Sequence, residues 1–70
     1  MNNTIEVTWK DGKVWRIHRS ILSKPVNIDD AKRFARKLWL DERQSDLFLS
    51  LFRMEQEGIQ IDNEIKANYR

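Results

Sequence analysis

Residues 4–18, TIEVTWKDGKVWRIH, alternate apolar and polar side chains on either side of Asp11-Gly12, and this alternation restricts the fold more than any other feature of the chain. A period of two marks half-buried strands, and Asp-Gly between two such runs marks a β-hairpin. Two registers compete. A two-residue turn sets Val7 opposite Arg16 and Ile5 opposite His18. A three-residue loop, Lys10-Asp11-Gly12 with Gly12 left-handed, sets Val7 opposite Trp15 and Ile5 opposite Ile17. The second gathers Ile5, Val7, Trp9, Trp15 and Ile17 on one face and leaves Glu6, Thr8, Val14, Arg16 and His18 to solvent, so burial selects it.

The connector 19–26 is expected to tuck Ile21 and Leu22 under the sheet edge, and Pro25 discourages helix before it. Asn27 then reads as a helix N-cap with Asp30 three residues on, while Val26 and Ala31 fit a hydrophobic staple. Asp29 and Asp30 suit the positive end of a helix dipole. The pattern predicts a helix over 28–40. On it Ile28, Ala31, Phe34, Ala35, Leu38 and Trp39 cover an apolar arc of roughly 140°. Lys32, Arg33, Arg36 and Lys37 form a neighbouring basic arc.

A second helix is predicted over 42–57, with Leu47, Phe48, Leu51, Phe52 and Met54 apolar and Leu49 widening the stripe. On one continuous rod the two apolar arcs would point about 150° apart. A break near 41–45 is therefore expected, with Asp41 and Gln44, or Ser45 alone, capping the new helix. Gly58 is expected to end it. Residues 59–70 are read as a tail: Ile59 and Ile61 alternate as in a short strand, and Asp62 is placed to cap a terminal helical turn through Ile65 and Tyr69.

These elements give an α+β class, a single small domain over 1–70 in which the N-terminal hairpin packs on two helices. The expected core is Trp9, Trp15, Ile17, Phe34, Leu38, Leu47, Leu51 and Phe52. A 70-residue chain buries only about 60% of its unfolded surface, and this one has no cysteine with which to add disulfides or thiolate metal sites. A partner subunit or very good packing remains as the source of stability, so a homo-oligomer is expected.

Catalytic chemistry finds few footholds. Nucleophilic catalysis needs a nucleophile, a base and an orienting group. The only imidazole, His18, lies on a strand between Ile17 and Arg19 and reads as a solvated side chain. Gly12 and Gly58 are accounted for by a turn and a helix stop, so no Gly-rich loop cradles phosphate. Asp29-Asp30 and Asp41-Glu42 match no calcium loop. No enzyme activity, cofactor or metal is expected. No apolar run is long enough to span a membrane, and no basic-then-apolar leader precedes residue 4, which makes a cytoplasmic location the default. The size alone suits an accessory protein of a phage or mobile element.

Charge supplies the functional expectation. Residues 1–40 carry nine Lys/Arg against four acids (+5), and residues 41–70 carry four against seven (−3), which recovers the total of +2. Such a division favours a complementary macromolecular partner. The leading expectation is a non-enzymatic, self-associating protein-binding module of adaptor or inhibitor type. Trp39, Leu40 and Leu49, at or beyond the edges of the apolar stripes, are the expected contacts, and Arg33, Arg36 and Lys37 the steering charges. The alternative is a small nucleic-acid-binding regulator that sets Lys32, Arg33, Arg36 and Lys37 on phosphates.

Overall fold

A computed structural model describes residues 3–67. The elements run β1 (Thr4–Trp9), β2 (Val14–His18), a 3-10 turn (Arg19–Ser23), α1 (Ile28–Lys37), α2 (Glu42–Gln56) and β3 (Glu64–Ala67). This is a small α+β fold with a three-stranded mixed sheet and two helices. The chain divides into two compact units, one made of the residues up to Ile21 with those from Asp62, the other of Leu22–Ile61.

The first unit is built on the hairpin. Its pairing is Ile5 with Ile17 and Val7 with Trp15, the register of the three-residue loop. The Trp9 N–H donates to Lys13 C=O and the Gly12 N–H to Trp9 C=O, both at 2.9 Å. Gly12 has φ +88, a region closed to most side chains, so Gly is required there. Asp11 Oδ1 accepts the Lys13 N–H at 3.1 Å and braces the loop. Ile5, Val7, Trp9 and Ile17 are buried on one face, with Trp15 half-buried and its ring 5.9 Å from that of Trp9. On the other face Arg16 Nε donates to Glu6 Oε2 at 2.9 Å between directly opposed residues.

The tail departs from expectation. Ile59 and Ile61 form no strand, and the predicted helical turn from Asp62 is strand β3, which lies parallel to β1 with Val7 opposite Ile65. The sheet order is therefore β2-β1-β3. Along β1 the peptide groups of Ile5 and Val7 face β2, which turns those of Glu6 and Thr8 outward. Buried strand groups of this kind need a partner, and β3 supplies it. The Glu6 N–H donates to Asn63 C=O at 2.7 Å, and the Asn63 side chain accepts from the Arg19 guanidinium at 2.6 Å. Tyr69 lies outside the described residues.

The second unit is a helical hairpin. The Asn27 side chain accepts the Asp30 N–H at 2.8 Å, so the predicted cap is present. The Asp30 carboxylate reaches past the cap to the Val26 N–H at 3.1 Å. The staple is not formed: Val26 is 80% exposed, because its backbone is held outward by that bond while Ala31 turns inward. Asp41 and Gln44 make a full capping box at the start of α2, at 2.8 and 3.1 Å. Caps of this kind contribute about 1 kcal/mol each.

Helix α1 ends at Lys37, three residues short of the predicted Leu40. The extended backbone that Asp41 needs to cap α2 leaves no room for helix up to residue 40, so the chain reverses earlier. Leu22, Ala31, Ala35, Phe48, Leu51, Phe52 and Ile61 are buried in this unit. Two expected core members, Phe34 and Leu47, are only half-buried, and Leu38 is 43% exposed. The Phe34 and Phe48 rings stack at 5.8 Å across the helix pair. No helix among the described residues is long and apolar enough to cross a membrane.

Candidate docking surface

Both helices end in the same hydrogen-bonded motif, and the residues that close it differ. At the end of α2, the Gly58 N–H donates to Glu55 C=O at 3.2 Å and the Ile59 N–H to Met54 C=O at 2.9 Å. Gly58 has φ +73. This is a Schellman close, in which glycine is the usual left-handed residue. At the end of α1 the Trp39 N–H donates to Arg36 C=O at 3.1 Å and the Leu40 N–H to Ala35 C=O at 3.2 Å. The geometry is the same, but the left-handed residue is Trp39, with φ 57. A residue with a Cβ in that region costs about 1–2 kcal/mol.

That cost gains no burial. Trp39 is 91% exposed, the most exposed of the large apolar side chains among the described residues. Leu38, expected in the core, lies beside it and is partly exposed, so the turn presents an apolar tip. Of the other expected contacts, Leu40 is half-buried in the turn. Leu49 is also half-buried, but it sits about 10 Å along α2 from the first residue of that helix. It belongs to the flank of α2, not to the tip. Leu38, read as a stripe position, and Val26, read as a staple residue, are both exposed.

Lys32, Arg33, Arg36 and Lys37 are all exposed along α1. Arg33 lies 3.8 Å from Asp30 with 69% of its side chain in solvent, a pair too long and too wet to hold the guanidinium firmly. The charge arc therefore leads up to the Trp39 tip, with Arg36 and Lys37 immediately before it.

Depressions among the described residues of this unit include two of note. One, of about 450 Å³, lies between the start of α1 and the end of α2, lined by Val26, Ile28 and Phe52 together with Arg53, Gln56 and Glu57. The other, of about 350 Å³, is lined by Asp30, Arg33, Phe34 and Lys37. In the first unit His18 caps the 3-10 turn: its Nδ1 accepts the Ser20 N–H at 3.2 Å and lies 2.7 Å from the Ser20 hydroxyl. That contact is local and exposed, and holds the imidazole to the turn. Among the described residues no three His, Cys, Asp or Glu side chains converge as metal ligands.

Comparison of the chain with models of protein families, with curated proteins and with solved structures finds no match, so the reading of this surface rests on its own geometry and charge.

Proposed function

We propose that this chain is a non-enzymatic docking protein, an adaptor or inhibitor that acts by occupying a protein partner and that also self-associates. The observation that supports this reading is Trp39, held in a strained left-handed turn yet 91% exposed. Tryptophan is the residue most favoured as an interface anchor, since it brings a large apolar area on only two rotatable bonds. The exposed cations Lys32, Arg33, Arg36 and Lys37 draw an acidic partner toward the tip and set its orientation, while the indole holds it.

Affinity capture from the native host, followed by binding kinetics on the purified partner, tests this. Trp39→Ala is expected to raise the dissociation rate by 100-fold or so, the effect of losing a central anchor. Arg36→Glu with Lys37→Glu is expected to slow association and flatten its salt dependence. A partner retained by Trp39→Ala with unchanged kinetics overturns the reading.

One observation favours a second reading. The half-buried Phe34 lies in a depression lined by Arg33 and Lys37 with one acid, Asp30, a net positive arrangement suited to stacking a base and neutralising its phosphate. On that reading the chain binds single-stranded nucleic acid, and log affinity falls with log salt at about −0.7 per phosphate contacted. Titration with single-stranded and duplex DNA at two salt concentrations decides it. Absence of binding at low salt eliminates this alternative.

A further inference from the structure

We infer that Trp39 of one copy seats in the groove between the start of α1 and the end of α2 of a second copy, joining chains head to tail. The inference rests on the docking reading of Trp39 and names one partner for it.

Anchor and groove are complementary in three respects. The groove is lined by the apolar Val26, Ile28 and Phe52, and its open volume of about 450 Å³ is ample for an indole laid against it. Val26 is 80% exposed, second only to Trp39 among the large apolar side chains of the described residues, so each surface offers what the other lacks.

Charge agrees with shape. Arg36 and Lys37 precede the anchor. The groove and the two positions either side of its lining residues carry Asp29, Asp30, Glu55 and Glu57 against Lys24 and Arg53, a net charge of −2. Net acidic surroundings of this kind disfavour phosphate and anionic lipid and favour a cation-flanked indole.

Distance makes the contact intermolecular. The groove opens at Ile28 and the anchor follows Lys37, so the ten residues of α1, about 15 Å of helix, separate them. An indole does not reach that far back along its own helix. The contact is also heterologous: a joined pair keeps one free anchor on one copy and one free groove on the other, so association continues past two chains into rings or open arrays. With one anchor and a small groove the junction is weak and transient.

Sedimentation or light scattering on the full chain tests this over about 10 μM to 1 mM, the range where a small interface is populated. The wild-type mass is expected to rise with concentration beyond that of two chains. Trp39→Ala removes the anchor, and Val26→Glu places a charge in the groove at an exposed side chain. Each alone is expected to stay a single chain with an unchanged circular-dichroism spectrum. Mixed in equal amounts, they are expected to form a complex of two chains and no more, because one intact anchor and one intact groove remain.

A wild-type chain that stays single across the range overturns the inference. So does a Trp39→Ala variant that associates like wild type, or a mixture that stays monomeric while wild type assembles. If wild type is single but Trp39→Ala still loses its captured host partner, self-docking falls and the docking function stands. If Trp39→Ala keeps both, neither survives.

Discussion

Replacing Phe48 with alanine is expected to cost about 3–5 kcal/mol and to leave much of the chain unfolded at physiological temperature. Phe48 is completely buried and is the largest side chain to be so among the described residues. Its ring stacks on Phe34 at 5.8 Å with an interplanar angle of 28°, and this pair joins α1 to α2. Truncation removes the transfer free energy of the ring and leaves a void that two short helices cannot close without shifting. A chain of 70 residues has roughly 4–10 kcal/mol of stability in total, so the loss is comparable to the whole. Urea unfolding followed by far-ultraviolet circular dichroism measures it. Leu38→Ala, at a partly exposed site, serves as the control and is expected to shift stability by less than about 1 kcal/mol. Equal effects at the two positions would mean that Phe48 does not organise this unit.

Phe48 also marks where reading the sequence stops working. The caps were legible because they are local: Asn27, Asp41 with Gln44, and Gly58 each act within four residues. The hairpin register was legible because a one-residue slip would turn Trp15 and Ile17 to solvent. Helix α2 is different. Leu47, Phe48, Leu49, Leu51, Phe52 and Met54 cover more than half its circumference, and an arc that wide does not fix its own centre. The centre falls on Phe48, Leu51 and Phe52, leaving Leu47 half-buried.

Non-local pairing is the other blind spot. Glu64–Ala67 alternates over only four residues, too few to outweigh an apparent cap at Asp62. What makes it a strand is the open edge of β1, nearly sixty residues earlier. The turn at Trp39 was invisible for a third reason. Residue preferences point to glycine or asparagine in the left-handed position, and nothing local announces a tryptophan there. The out-of-phase apolar arcs required a break, and the break occurred, but the cap at Asp41 decided its place. The exposure of Trp39 was legible from its place at the stripe edge, whereas the half-burial of Leu40 and Leu49 depends on packing that no helical wheel contains.

Trp39→Gly is expected to move stability and docking in opposite directions. Glycine meets no penalty at φ 57, so relief of the strained backbone stabilises the fold, offset in part by the greater freedom of glycine in the unfolded chain. The net gain is about 0.5–1 kcal/mol, a rise in melting temperature of roughly 2–8 °C for a domain of this size. Little packing is lost, since the side chain is 91% exposed. Docking weakens by about 2–4 kcal/mol, some 30- to 1,000-fold, as expected for removal of a central aromatic anchor. Trp39→Ala separates the two effects. It deletes the ring but keeps the Cβ, so docking is lost to the same extent while the melting temperature stays near that of wild type. A Trp39→Gly variant less stable than wild type by 1 kcal/mol or more would show the indole to be a clasp for the helical hairpin, and the docking role would lose its support. Gly58 supplies the comparison: there the chain closes a helix with glycine in the same motif, and a tryptophan that forgoes that stability at α1 is what the proposed docking role calls for.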